Sequence, residues 1–173
     1  MDGLPLDFHE RLCATVHRDT LPAMTELSGY YAEVARTWYR HLSAYVTSVK
    51  DGIQKGGYLN YKFFQHRAHT HEEIAAVPKK FVWAVMVNLH DKKNENVSRE
   101  IVKRFPYAEY QFALHSPSIN ESWVDFASSL KRLSCIHIMK KFDDDAIRLF
   151  QKIIDSRKLS RLPICQEACK GGM

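Results

Sequence analysis

Imidazole and carboxylate side chains are concentrated in one short segment of the chain. His66, His69 and His71 stand close together and are followed by Glu72 and Glu73, and His66 and His69 would lie one turn apart on a helix. Such side chains are able to bind a divalent cation. A tetrahedral site needs further ligands, and no compact pair of Cys or His elsewhere in the sequence supplies them. We therefore interpret the segment as a solvated polar region and predict no metal site.

Two other clusters also have ordinary structural explanations. Cys165 and Cys169 would share one face of a helix, but redox pairs have two intervening residues and structural zinc needs four ligands. Asp143, Asp144 and Asp145 lack the alternating ligands and the glycine of a calcium loop, and are typical of a helix N-terminus. We therefore predict no cofactor.

Short catalytic motifs are missing from the sequence. There is no G-x-S-x-G, no glycine-rich phosphate loop with its lysine, and no H-E-x-x-H. A site assembled from distant residues leaves no such pattern, so unrecognised catalysis stays open. We predict that the protein is not an enzyme and assign no catalytic residue.

Composition indicates a folded protein of one or two modules. The chain has 173 residues, of which 45% are hydrophobic, 26% charged and 12% aromatic. It carries a formal charge of +5, but its 25 Lys and Arg are spread among 20 Asp and Glu, which favours a solvated surface over a nucleic-acid interface. No apolar run approaches the roughly 18 residues that cross a bilayer, and the N-terminus does not resemble a secretory signal. We expect a soluble protein of the cytoplasm or nucleus with reduced cysteines.

The first 45 residues predict a helical head. Apolar residues recur at three- and four-residue steps, which places one apolar stripe on each of three short helices. The stripes are Leu4, Phe8, Leu12 and Val16, then Leu21, Met24 and Leu27, then Tyr31, Val34, Ala35, Trp38, Leu42 and Tyr45.

A hairpin is predicted next. Residues 45–50 are rich in β-formers, Asp51-Gly52 is typical of a type I′ turn, and a return strand would run over 53–63. Residues 65–80 show no clean period, which favours a loop or one irregular helix.

Three βα units follow. Strands are predicted at 81–89, 107–114 and 133–139, and each precedes an amphipathic helix capped near Asn96, at Asn120 or at Asp143. This alternation predicts neighbouring parallel strands with the helices on one side, as in a leucine-rich array. A small α/β sandwich is the alternative. If the apolar side chains at 110, 112, 136 and 138 point inward, the opposite strand face carries Glu109, Gln111, Cys135 and His137.

The head resembles the F-box, a helical motif of about 40 residues that opens with Leu-Pro. The matching residues are Leu4, Pro5, Leu12, Val16, Leu21, Met24 and Leu27. The family usually has a Trp shortly after this point, where this chain has Gly29, Tyr30 and Tyr31. The match covers about a quarter of the chain.

The resemblance implies an α+β or α/β chain with three parts. These are an F-box-like head of three helices (1–45), a β-hairpin and connecting segment (46–80), and a leucine-rich-like βα region (81–173). It also implies a substrate-recognition subunit of a cullin-based ubiquitin ligase, whose head contacts a Skp-family adaptor through the seven matching residues. A target protein would bind Glu109, Gln111, Cys135 and His137. The alternatives are a free-standing interaction module and a basic nucleic-acid binder.

Overall fold

A six-stranded mixed sheet lies at the centre of the protein. The computed structural model describes residues 4–90 and 95–169. The strands are β1 (Ser43–Lys50), β2 (Ile53–Tyr61), β3 (Arg67–Ala68), β4 (Val82–Leu89), β5 (Glu109–Leu114) and β6 (Leu133–Ile138). Their order in the sheet is β3-β2-β1-β4-β5-β6. The expected mixed α and β architecture is therefore confirmed.

Three helices form the head, but the second and third are shorter than the apolar spacing predicts, since Leu27 lies after the second helix and Tyr45 lies in β1. They are α1 (Leu6–Thr15), α2 (Leu21–Met24) and α3 (Tyr30–His41), and a 3₁₀ turn at Arg18–Thr20 precedes α2. The backbone before α3 turns at Gly29, whose φ of 79° suits a residue without a Cβ. The head is joined to the sheet at the start of β4, where the ring of Trp38 lies edge-on to that of Phe81 with centroids 5.1 Å apart.

The predicted hairpin is present, and it belongs to the central sheet. Asp51 and Gly52 both have positive φ, 54° and 69°, as a type I′ turn requires. Strand β1 pairs with β2 antiparallel and, on its other side, with β4 in parallel. The sequence predicts that residues 46–80 only connect the head to the βα region. In the structure, β1 lies between β2 and β4 and so joins the hairpin to the βα units in one sheet.

The three βα units are found close to their predicted positions. Strands β4, β5 and β6 are parallel neighbours, and they alternate with α5 (Glu95–Arg104), α6 (Glu121–Ser129) and α7 (Asp144–Asp155). Two predicted caps are confirmed, because Asn120 accepts from the backbone N–H of Trp123 and Asp143 from that of Ala146, each at 2.7 Å. The predicted cap Asn96 lies inside α5, and residues 91–94 are outside the described ranges.

The helices α5, α6 and α7 lie on one face of the sheet, as predicted. The ring of Phe112 contacts Trp123 on α6 at 5.4 Å between centroids. Tyr110, on the same face of β5, donates to the carbonyl of Phe105 just after α5 at 3.0 Å. Helix α7 packs beside α6, where Lys152 forms an ion pair with Asp125. Whether the units form a true repeat array stays a prediction.

The segment 65–80 is more ordered than its sequence pattern indicates. It contains β3 and α4 (His71–Ala76), and the 3₁₀ turn Lys79–Phe81 leads into β4. A capping box starts α4, because the Thr70 side chain accepts from the backbone N–H of Glu73 and the Glu73 carboxylate accepts from that of Thr70.

The chain returns to the sheet after α7 but does not form a seventh strand. Arg161 and Ile164 make isolated parallel bridges to Cys135 and Ile138. In this register, the residue between the bridges that would donate to the carbonyl of Ile136 is Pro163, which has no N–H. The ladder is therefore interrupted, and a short helix, α8 (Gln166–Cys169), follows. The described part of the chain contains no helix with the length and apolar character needed to cross a membrane.

Candidate partner-binding surfaces

The head exposes several large apolar side chains on α1 and on the segments around it. Six large apolar side chains, which we call the α1 patch, are between 36% and 48% exposed: Leu4, Leu6, Phe8, Leu12, Leu27 and Tyr30. Phe8 and Leu12 lie four residues apart on α1, and Leu4 lies two residues before the helix begins. Tyr30 lies near the same helix, because its ring centroid is 5.6 Å from that of His9.

The inner side of α1 closes the core of the head. His9 and Cys13 are buried there, and neither ring nitrogen of His9 has a hydrogen-bond partner. Burial, with a smaller contribution from Glu10, raises the pKa of the Cys13 thiol to about 11. The thiol is therefore protonated at neutral pH, and it has no nucleophilic role in this arrangement.

The residues matched to the F-box divide between the surface and the core. Leu4, Pro5, Leu12 and Leu27 are exposed, and Val16 is half-buried. Leu21 and Met24 are only 1% and 5% exposed and pack inside the head. The resemblance does not include Leu6, Phe8 and Tyr30. The four-residue step from Leu4 through Phe8 to Leu12 is the sequence signal that associates Phe8 with this surface.

The four residues expected to bind a target lie on one face of the sheet. Gln111 pairs with Cys135, and Ala113 with His137, on the face opposite Phe112. Glu109 shares this face at the start of β5. Gln111 and Cys135 are 6% and 0% exposed, while Glu109 and His137 are half-buried.

Strand register extends this face into two continuous rows, which together we call the open face. The first row is Tyr58, Val46, Met86, Gln111, Cys135 and Arg161. The second row is Lys55, Ser48, Asn88, Ala113 and His137. Gln111, Ala113 and Cys135 are buried, whereas Val46, Met86, Asn88 and His137 keep contact with solvent, so this face is accessible mainly at the central strands β1 and β4.

Arg18 joins the head to one end of this face. Its guanidinium lies 4.0 Å from the centroid of the Trp83 ring, and its Nη2 is 2.9 Å from Oε1 of Glu109. The head and the start of the strands also border a cleft of about 580 Å³. Lys80 bridges the rim of the cleft to Glu10 at 2.7 Å. Arg18 and Lys80 are thus both ion-paired, with Glu109 and Glu10 respectively.

Histidines gather at the ends of β4 and β5 without forming a metal centre. The rings of His90 and His115 stack with centroids 4.4 Å apart, and Nε2 of His115 lies 3.4 Å from the amide oxygen of Asn88. Burial, aided by the nearby His90 and Lys140, lowers the pKa of His115, so its neutral form is favoured. Across the described residues, no group of three or more His, Cys, Asp or Glu is arranged to hold a metal.

His66, His69 and His71, which are close together in the sequence, have different surroundings in the structure. His66 packs against Tyr61 at 5.4 Å between ring centroids, and His69 packs against Tyr58 at 5.5 Å. His71 begins α4 and is exposed. The histidines therefore take part in separate local contacts.

Comparison with known proteins does not assign this chain to a family. No family model, no curated protein and no solved structure matches this chain. The molecule is thus defined by its α+β fold and by two surfaces, the α1 patch and the open face.

Proposed function

We propose that the protein is a non-catalytic adaptor that links two other proteins. In this proposal the head binds a Skp-family adaptor of a cullin-based ubiquitin ligase, and the open face binds a target. The observation that carries the proposal is the α1 patch, with six large apolar side chains exposed on a small helical head. The resemblance of the head to the F-box supports the choice of partner.

The α1 patch has the character of a binding surface. Single exposed apolar residues are common on proteins, but a group of large ones on a small head is typical of an interaction site. The buried residues His9 and Cys13 fix the inner side of α1, so the outer residues are left over from the core. A partner that covered Leu4, Phe8 and Leu12 would remove from water the surface that the fold leaves exposed.

The two surfaces lie on different elements. The α1 patch is on the head, whereas the open face is built by strands β1, β2, β4, β5 and β6 and by Arg161. Holding a target on one surface and the ligase on the other would raise the concentration of the target near the transfer machinery. No bond chemistry by the chain itself is needed for this role.

Calorimetry with a purified Skp-family adaptor tests the head. We expect micromolar or tighter binding by the wild-type chain, and a loss of about a thousandfold for Leu4→Ala with Leu12→Ala if each is an anchor worth roughly 2 kcal/mol. The matched control is Ile147→Ala with Ile154→Ala on α7, which removes two apolar side chains that are 55% and 40% exposed. Circular dichroism establishes that both variants are folded.

The outcomes separate the proposal from its alternatives. Binding that is lost in the α1 variant and kept in the α7 variant supports the adaptor role. A folded wild-type chain that shows no binding at micromolar concentration refutes the link to the ligase and favours a free-standing interaction module. Equal losses in both variants would refute the assignment of the α1 patch.

A further inference from the structure

We propose that the open face recognises an extended acidic segment of a protein, with its apolar side chains at the centre of the sheet. This inference rests on the target-binding half of the proposed function and gives the chemical class of the target. Three features support it. Cations lie at the borders of the open face, partly exposed apolar residues lie between them, and guanidinium groups cover the aromatic rings on this side.

Cations border the open face on both sides. At one side Arg67 of β3 lies over the ring of Tyr58, with its guanidinium carbon 5.0 Å from the ring centroid, and Lys55 ends the second row. At the other side Arg161 ends the first row beside Cys135. Arg67, Lys55 and Arg161 are all exposed. An acidic ligand would therefore meet a positive charge at either end of the rows.

Negative charge on this face is already neutralised. Glu109 is the only acid in the six described strands, and its carboxylate is bound by Arg18 at 2.9 Å. Acids are instead found on the helix side of the sheet, where Asp125 lies on α6 and Asp144 and Asp145 begin α7. The helix side therefore mixes cations with acids, whereas the one acid of the described strands is ion-paired, which favours an acidic partner approaching the open face.

The centre of the open face suits a peptide chain. Val46 and Met86 are partly exposed apolar residues of the first row on the two central strands, β1 and β4, and the polar side chains Ser48 and Asn88 adjoin them in the second row. Apolar contacts at the centre with polar groups around them are the usual anatomy of a protein interface. A segment with one or two apolar residues between acidic ends would fill this surface.

Dimensions set the length of the segment. The first row crosses six strand positions, from Tyr58 on β2 to Arg161 beyond β6. Five steps of about 4.8 Å between strands give a row of about 24 Å. An extended chain advances about 3.4 Å per residue, so about seven residues span the row.

The aromatic rings on this side argue against a nucleic acid. Proteins that bind single strands stack bases on exposed aromatic faces. Here the ring of Tyr58 lies under Arg67, and that of Trp83 lies under Arg18. Both rings are already covered by a guanidinium group, so they offer no free stacking platform on those faces.

Fluorescence anisotropy with a synthetic peptide tests the inference. The probe is a labelled eleven-residue peptide with Asp and Glu at both ends and Val and Leu at the centre, and its control has Asn and Gln in place of the acids. We expect Arg67→Glu with Arg161→Glu to weaken binding of the acidic peptide at least tenfold. The matched variant, Lys103→Glu with Arg148→Glu, alters net charge equally on the exposed helix side and should stay within twofold of wild type.

Any of the following outcomes would overturn the inference. Equal losses in the two variants would mean that only the overall charge matters. Equal affinity for the acidic and amide peptides would mean that acidity is not recognised. A wild-type chain that does not bind the acidic peptide, or that binds a single-stranded oligonucleotide more tightly, would also refute the proposal.

Adaptor calorimetry on the same variants distinguishes the two proposals. We expect the Arg67 and Arg161 variant to bind the Skp-family adaptor as wild type does, because the α1 patch is unchanged. If the wild-type chain binds the acidic peptide but no adaptor, the ligase role fails and the recognition of acidic segments stands. If it binds the adaptor but no acidic peptide, the present inference fails alone.

Discussion

Replacing Arg18 by alanine is expected to lower the free energy of unfolding by about 2 kcal/mol, because this residue fastens the head to the sheet. The Arg18 side chain ion-pairs with Glu109 and stacks on Trp83, and the ion-paired side chains are 30% and 33% exposed. Both contacts join segments that are far apart in the sequence. Their loss therefore affects how the head is held against the strands.

The magnitude follows from the two contacts. A partly exposed ion pair contributes up to about 1 kcal/mol. A guanidinium on an indole ring contributes about 1 kcal/mol where it is partly shielded. For a chain of this length, a loss of about 2 kcal/mol corresponds to a decrease in Tm of about 4 to 8 °C.

Urea unfolding and a double-mutant cycle measure the ion pair by itself. Arg18→Ala, Glu109→Ala and the double variant should give a coupling energy of about 1 kcal/mol at low salt. At 1 M NaCl the Debye length falls to about 3 Å, so this coupling should decrease by more than half. Arg148→Ala is the control, because the Arg148 pair with Asp145 is far more exposed, and its effect should stay below about 0.5 kcal/mol.

Two results would refute the reasoning. A coupling energy below about 0.3 kcal/mol would mean that Arg18 and Glu109 act independently. A coupling energy that does not change with salt would mean that the interaction is not an ion pair. Arg18→Lys separates the stacking contribution, because lysine keeps the charge but lacks the planar group.

Three further results are expected. His9→Leu should raise the free energy of unfolding by about 1 kcal/mol in urea titrations, since it removes two buried nitrogens that have no partner; a decrease would contradict this. In the folded protein Cys169 should react with Ellman's reagent and Cys13 should not, because Cys13 is buried with a pKa of about 11; rapid reaction of a variant with Cys165→Ser and Cys169→Ser, whose remaining thiols are both buried, would be evidence against it. The pKa values of His115 and His137 are lowered mainly by burial, so the unfolded chain takes up protons first and stability should fall as pH drops below about 6.5; an unchanged pH slope in the double His→Gln variant would refute this.

The secondary structure was accessible to sequence reasoning because it depends on local patterns. Apolar periodicity identified α1, α3 and the βα units, and Asp51-Gly52 identified the hairpin turn. Asn120 and Asp143 were recognisable as caps because short polar side chains satisfy the free N–H groups of a helix start. The capping box of Thr70 and Glu73 carried the same kind of signal and would have located α4.

The arrangement of these elements was less accessible. Periodicity tells which side of a strand is buried but not which strand lies beside it, so the parallel pairing of β1 with β4 was not expected. Likewise, the apolar spacing of the head does not tell which residues face outward, and the burial of Leu21 and the exposure of Phe8 depend on how the helices pack. Arg18 and Glu109 are 91 residues apart in the sequence, and no local pattern connects them.

The order of the strands bears on how the chain acquires its structure during synthesis. After β1 has paired with β4, strands β5 and β6 each attach to the strand made just before them, so the sheet grows at one edge in the order of translation. Each addition brings together residues about 25 positions apart, which keeps the entropic cost of closing the chain small and constant. The most distant strand pairing, β1 with β4, is the first of the parallel pairings in this order, when fewer competing segments have left the ribosome than at the end of synthesis. A chain that stalls during synthesis would then hold a finished head and a shorter sheet rather than an unfolded whole.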